Sequence, residues 1–174
     1  MLKKLHIALM IPILLSTLLI TAGCSAAKTA KSGDTVKVDY TGKLADGTVF
    51  DTSVGKQPLQ FTLGENQVIV GFEKAVTGMK VGESKTVTIP ADEAYGPYRN
   101  DLLVVIDRIR LPQDMVPQVG QKLQATQADG TTVVYPIVKV DDKTVTIDTN
   151  NPLAGKDLTF EIKLLDIIAN TTTK

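Results

Sequence analysis

Val36–Ser53, VKVDYTGKLADGTVFDTS, is the stretch on which the fold turns. Val36, Val38 and Tyr40 alternate with Lys37, Asp39 and Thr41, the period-two pattern of a strand with one apolar face. Ala45-Asp46-Gly47 is a turn signal, because Asp accepts turn geometry and Gly supplies positive φ at little cost. The chain then returns through Thr48-Val49-Phe50 and stops at the polar cluster Asp51-Thr52-Ser53. Phe50 and Asp51 are adjacent, so on an extended chain they point to opposite sides. A pocket can use both only where the chain bends or leaves the sheet.

Downstream, Leu59–Leu63 alternates as a second strand, and Gly64-Glu65-Asn66-Gln67 is a turn. Gly71–Met79 places Phe72, Ala75, Val76 and Met79 at i, i+3, i+4 and i+7, which predicts a short amphipathic helix. Val81-Gly82-Glu83 turns into the alternating Ser84–Ile89, and Pro90–Gly96 is a loop carrying the aromatic hydroxyl of Tyr95.

These segments, in this order, resemble the FKBP-type peptidyl-prolyl cis/trans isomerases. The opening hairpin looks like that family's signature. Matches continue through Phe61-Thr62-Leu63-Gly64, Val68–Glu73, Gly78–Glu83, Ile89-Pro90, Ala94-Tyr95-Gly96 and the closing Leu158-Thr159-Phe160-Glu161-Ile162. The resemblance implies an α+β fold, an FKBP-like antiparallel sheet wrapped around a short helix. It implies an apolar pocket formed by Tyr40, Phe50, Leu59, Val68, Ile69, Phe72, Tyr95 and Phe160. It further implies that the Ile69 backbone N–H and the Tyr95 hydroxyl donate to substrate carbonyls, and that Asp51 sits near the rotating one. An ionised carboxylate cannot donate, so Asp51 acts through its field or by holding the Tyr40 hydroxyl. Asp51, Tyr95 and Tyr40 are thus the expected catalytic residues. Leu59 and Phe72 stand where the family often has an aromatic and a tryptophan, which opens one wall and alters the floor. The apolar members alone would suit any small β-core; Asp51 and Tyr95 inside matched motifs distinguish a site.

Between Gly96 and the closing strand runs a long segment, 97–152, with its own order. Leu102–Ile106 is an apolar run, Gly120–Thr126 leads to a turn at Ala128-Asp129-Gly130, and Thr131–Val140 is strand-like, with Pro136 marking an edge or bulge. Lys143–Asp148 follows another turn. Several β-prone runs joined by turn dipeptides predict a small all-β module. An insert at this point resembles the insert-in-flap domain of the SlyD-like subgroup, and Asn150–Gly155 resembles that subgroup's return junction, with Asn151 in place of His. The expected domains are therefore a discontinuous isomerase domain, 33–96 and 153–169, and an insert, 97–152. Leu102–Ile106, Met115-Val116 and Val133-Val134 either expose an apolar patch or form the insert's own core.

The N-terminus has a separate logic. Lys3-Lys4 precedes the apolar run Ile7–Ile20, and small residues lead to Cys24, the only cysteine of 174 residues. This predicts a secretory signal over 1–23. Thr21-Ala22-Gly23-Cys24 resembles the lipobox of bacterial lipoproteins, though Thr21 stands where Leu is usual. The expectation is lipidation at Cys24, an exported domain anchored to a bacterial membrane and facing the periplasm or cell exterior, and a flexible tether over 24–32. Ser25 after the cysteine points to outer-membrane sorting where two membranes exist.

Net charge is zero, which leaves no electrostatic footprint for nucleic acid. The one histidine, His6, lies in the signal, so neither a Ser–His hydrolase arrangement nor a metal site is expected, and no cofactor. Asp92-Glu93 is read as solvated surface. The function expected is isomerisation of X–Pro bonds in exported, unfolded, proline-containing polypeptides, with the insert binding unfolded chains. The rival is a holding chaperone whose isomerase site is weak or vestigial.

Overall fold

Val36 and Val38, the apolar side chains that alternate along the opening strand, are both fully buried at the centre of an antiparallel sheet. The computed structural model describes residues 28–126 and 129–168. In chain order the elements are β1 (Thr35–Lys43), β2 (Val49–Thr52), β3 (Leu59–Thr62), α1 (Val70–Val76), β4 (Ser84–Ile89), β5 (Leu103–Asp107), β6 (Lys122–Thr126), β7 (Thr132–Val140), β8 (Thr144–Asp148) and β9 (Leu158–Ile168). The α+β class expected from the sequence is what these antiparallel sheets and one short helix make.

The first sheet has five strands and runs β2-β1-β9-β4, with β3 also on β1. Along one edge of β1, β3 pairs with Thr35–Val38 and β2 with Thr41–Lys43, while β9 covers the other edge. The helix buries Phe72, Ala75 and Val76 against Ile89, Leu158, Phe160, Ile162 and Leu164. It is shorter than the apolar spacing predicts. Thr77 leaves helical backbone at ψ 128, and Gly78 takes φ 85, so Met79 is buried from the turn and not from the helix.

A second sheet of four strands, in the order β5-β8-β7-β6, has its own buried cluster of Leu111, Ile137, Val145 and Ile147. The two uses considered for its apolar runs are divided between residues. Ile106, Met115 and Leu123 pack on that cluster, whereas Val104, Val105, Val116 and Val134 are exposed. The edge or bulge expected at Pro136 is present locally: as far as Pro136, β7 has only β6 beside it, and a register shift against β8 follows between Ile137 and Lys139. The residue is tolerated because the strand changes partner there: Thr132–Pro136 pairs with β6, and pairing to β8 begins at Ile137. A proline thus meets no partner needing its missing N–H.

Part of the stretch expected as a tether, 24–32, is held against the fold. Ala30 is 2 % exposed within the main core, its N–H donates to Met79 O at 2.9 Å, and its carbonyl accepts from Gly78 N–H at 2.8 Å. Thr29 bridges Lys80, and Lys28 Nζ donates to Ile167 O. Small residues that look like linker composition here fit a narrow slot between the helix end and β9. Cys24 and the signal lie outside the described residues.

Candidate active site

β1 and β2 do not pair evenly. Thr41 faces Thr52 and Gly42 faces Asp51, but Lys43 faces Val49, so Phe50 is an extra residue at a register shift. A bulge of this kind bends the strand and re-aims its side chains. It is why Phe50 and Asp51, adjacent in sequence, both reach the same hollow. Gly42 makes room: a Cβ there would lie 2.6 Å from Phe50 Cζ and 3.0 Å from Phe160 Cε1.

Tyr40, Phe50, Asp51, Leu59, Val68, Ile69, Phe72, Tyr95 and Phe160, every pocket position expected from the sequence, line one cavity of about 180 Å³. Its floor is an aromatic cluster. Phe72, 2 % exposed, meets Phe160 edge-on at 5.2 Å and Tyr40 at 5.8 Å, and Phe50 meets Phe160 at 5.7 Å. Phe72 is therefore core and floor at once. Gln67 joins the lining and was missed by sequence reasoning. Its Oε1 accepts from Thr62 N–H at 2.8 Å and its Nε2 donates to Glu65. The available signal was its place immediately before Val68-Ile69.

The polar groups fall into two sets. The Tyr40 hydroxyl donates to Asp51 Oδ2, and Asp51 Oδ1 accepts from Thr52 N–H at 2.8 Å, so this carboxylate is fixed at the rim. Burial, followed by the hydrogen bond and charge of Asp51, pushes the Tyr40 phenol up to about 12. Tyr40 is thus a permanent donor to Asp51 at neutral pH. The other set is free: among the described residues no protein group accepts from the Ile69 N–H or the Tyr95 hydroxyl. Ile69 precedes the first turn of α1, where backbone N–H groups lack helical partners. Tyr95 stands at the mouth, 43 % exposed. Asp92 is exposed and Glu93 pairs with Lys74 at 2.7 Å, as expected of surface carboxylates. A larger hollow of about 390 Å³ along Asp39, Thr41, Glu161 and Lys163 is lined mainly by polar side chains of the strands.

The site is thus a small aromatic cup with two unclaimed donors among its lining residues, suited to an apolar group that carries hydrogen-bond acceptors. The chain belongs to the FKBP-type peptidyl-prolyl cis-trans isomerases, whose family model matches residues 26–165. It is 40% identical over 152 residues to the short-type peptidyl-prolyl cis-trans isomerase of Methanocaldococcus jannaschii, covering 79% of this chain and 93% of that one. It is 36% identical over 117 residues to the isomerase SlyD of Helicobacter pylori, covering 67% and 63%. It is 30% identical over 142 residues to the FKBP-type 16 kDa isomerase of Escherichia coli, covering 81% and 95%. The chain is therefore an enzyme of this isomerase class, with SlyD-like relatives.

Proposed function

We propose that the cavity under Tyr95 rotates X–Pro bonds of exported, incompletely folded polypeptides, and that the second sheet holds those chains nearby. The barrier is about 18–20 kcal/mol because amide resonance must be broken. In the twisted state the C–N bond loses double-bond character and the group becomes less polar. A cup of Phe50, Leu59, Val68, Phe72 and Phe160 favours that state over the solvated planar one. Ile69 N–H and Tyr95 O–H, which no described protein group claims, would each donate to a substrate carbonyl. Asp51, pinned by Tyr40 and Thr52, sets a fixed negative field at the rim. The observation that carries this reading is the convergence of all the expected pocket residues on one cavity beside two free donors. A protease-coupled assay on the chain from Ser25 tests it: a short X–Pro peptide is isomerised well above its spontaneous rate. A spontaneous rate only would contradict it.

The rival reading, a holding chaperone, draws support from Val105 at 64 % and Ile109 at 92 % exposure beside the second sheet. Short peptides cannot span both sheets, so full turnover of such a peptide favours the isomerase. Suppression of aggregation without peptide turnover favours the holdase.

Anchoring through lipid on Cys24 completes the proposal. The clasp that holds Lys28, Thr29 and Ala30 leaves at most about 14 Å of chain between Cys24 and Lys28. The clasp lies at the Thr35/Ile168 end of the sheet, and the second sheet departs from the opposite, Leu158, end. Anchoring there would direct the second sheet away from the bilayer. Wild-type protein should partition into detergent and Cys24→Ser should not; wild type in the aqueous phase would refute the anchor.

A further inference from the structure

Two chain segments, 96–102 leaving the first sheet and 148–155 returning to it, are bonded to each other at four pairs of residues. Gly155 N–H donates to Gly96 O at 2.8 Å, and Thr149 donates to Leu102 O through both its N–H and its hydroxyl. At the centre is Asn150. Its Oδ1 accepts from Arg99 N–H at 3.0 Å and its Nδ2 donates to Arg99 O at 2.9 Å, so one side-chain amide replaces a paired strand. Asp148 orients that amide: its Oδ1 accepts from Asn150 Nδ2 at 2.7 Å and from Asn150 N–H at 2.9 Å, and its Oδ2 accepts from the Tyr98 hydroxyl at 2.9 Å.

Tyr95 is the first side chain beyond this latch. Its ring is 43 % exposed, so its own packing fixes it weakly. Its backbone is held instead by Gly96 and Gly155. Gly96, at φ 79, donates to Ala91 O at 2.8 Å and accepts from Gly155. Gly155, at φ 72, lies so near Tyr98 that a Cβ would meet Tyr98 Cβ at 3.0 Å. A shift of Tyr98-Arg99 is therefore transmitted to Gly96 and the seat of Tyr95.

We propose that Asn150 is a positioning residue that holds Tyr95 over the cavity by latching Arg99 to the returning chain. The catalytic consequence rests on the reading of Tyr95 as a donor to substrate. The experiment uses the full mature chain carrying fluorotyrosine, with the signals of its four tyrosines assigned by single Tyr→Phe changes. Asn150→Ala should shift or broaden the Tyr95 signal and leave that of Tyr40 unmoved. Turnover of a short X–Pro peptide should fall roughly two- to tenfold, the range for loss of one neutral hydrogen bond. In a Tyr95→Phe background the same change should cost nothing further, because both act through one hydroxyl. An unmoved Tyr95 signal, or losses that multiply in the double variant, overturns the proposal. If the signal moves while Tyr95→Phe leaves turnover intact, the latch stands and the donor reading of Tyr95 falls. Should Asn150→Ala fail to fold, Tyr98→Phe removes only the hydroxyl bond to Asp148. A smaller shift of Tyr95 then supports the latch, and none overturns it.

Discussion

Gly42→Ala adds one methyl group against the edge-to-face Phe50–Phe160 pair and tests the bulge that brings Phe50 and Asp51 together. Gly42 has no positive φ, and glycine inside a strand is usually a cost of about 0.5–1 kcal/mol relative to alanine. On backbone grounds alone the substitution should stabilise. The added Cβ would lie 2.6 Å from Phe50 Cζ and 2.9 Å from Phe50 Cε2, so the ring must retreat by roughly 0.8 Å to reach ordinary contact. Phe160 stands 3.0 Å from the same Cβ and blocks one direction, which leaves the cavity as the place to go. Overpacking of this kind costs about 1–3 kcal/mol, so the expected net loss is about 1 kcal/mol. That corresponds to a melting temperature lower by about 2–4 °C for a chain of this size. Turnover of a short X–Pro peptide should show a raised KM, because a ring displaced into about 180 Å³ leaves less room for substrate. Thermal unfolding and protease-coupled kinetics on one preparation measure both. A raised melting temperature with unchanged KM would show that Phe50 does not lie over Gly42, and the bulge argument would fail.

The other predictions are independent of that ring. A chain starting at Ser32 loses the burial of Ala30 and its bonds to Met79 and Gly78, so it should be less stable than one from Ser25 by about 2–3 kcal/mol; coincident melting curves would restore the tether. Tyr40 keeps its proton to about 12 in the fold, while an unfolded tyrosine releases it near 10. Its contribution is therefore fully present below pH 10 and lost as pH rises towards 12, where the unfolded state binds fewer protons. Urea midpoints should fall more steeply over that window in wild type than in Tyr40→Phe, and equal slopes would refute the Tyr40–Asp51 pairing. Replacing 103–147 with a short turn keeps the bonds between 96–102 and 148–155, so the core should fold and turn over peptides while losing activity on an unfolded protein. An unfolded core would show that the second sheet is not separable.

Much of the site was legible because alternation and resemblance act on the same residues. Val36, Val38 and Tyr40 share one face by simple period two, and the matched motifs supply Phe50, Asp51, Val68, Ile69, Tyr95 and Phe160. What could not be read was register. Nothing in TVFDT announces that Phe50 is the extra residue between the Gly42–Asp51 and Lys43–Val49 pairs, and only that shift lets neighbours share a cavity. The clasp at Ala30 was hidden for a different reason: small polar residues suit a linker and a narrow slot equally well, and the slot exists only once Met79 and Ile167 are in place. Pro136, by contrast, was legible as an edge or bulge, because its missing N–H needs a position without a partner and β7 has none on the β8 side before Ile137.

The most direct test of the central claim is kcat/KM for a short X–Pro peptide with the Asp51→Asn, Tyr95→Phe double variant, measured beside its melting curve. Asparagine keeps the size of Asp51 and can still accept from Tyr40, and phenylalanine keeps the Tyr95 ring, so folding should be little changed. Tyr95→Phe alone should cost roughly two- to tenfold, as one neutral hydrogen bond would, and loss of the Asp51 charge should deepen it. A double variant that melts like wild type and isomerises several-fold more slowly supports the cavity as the working site. A double variant that melts and isomerises like wild type would place the chemistry elsewhere.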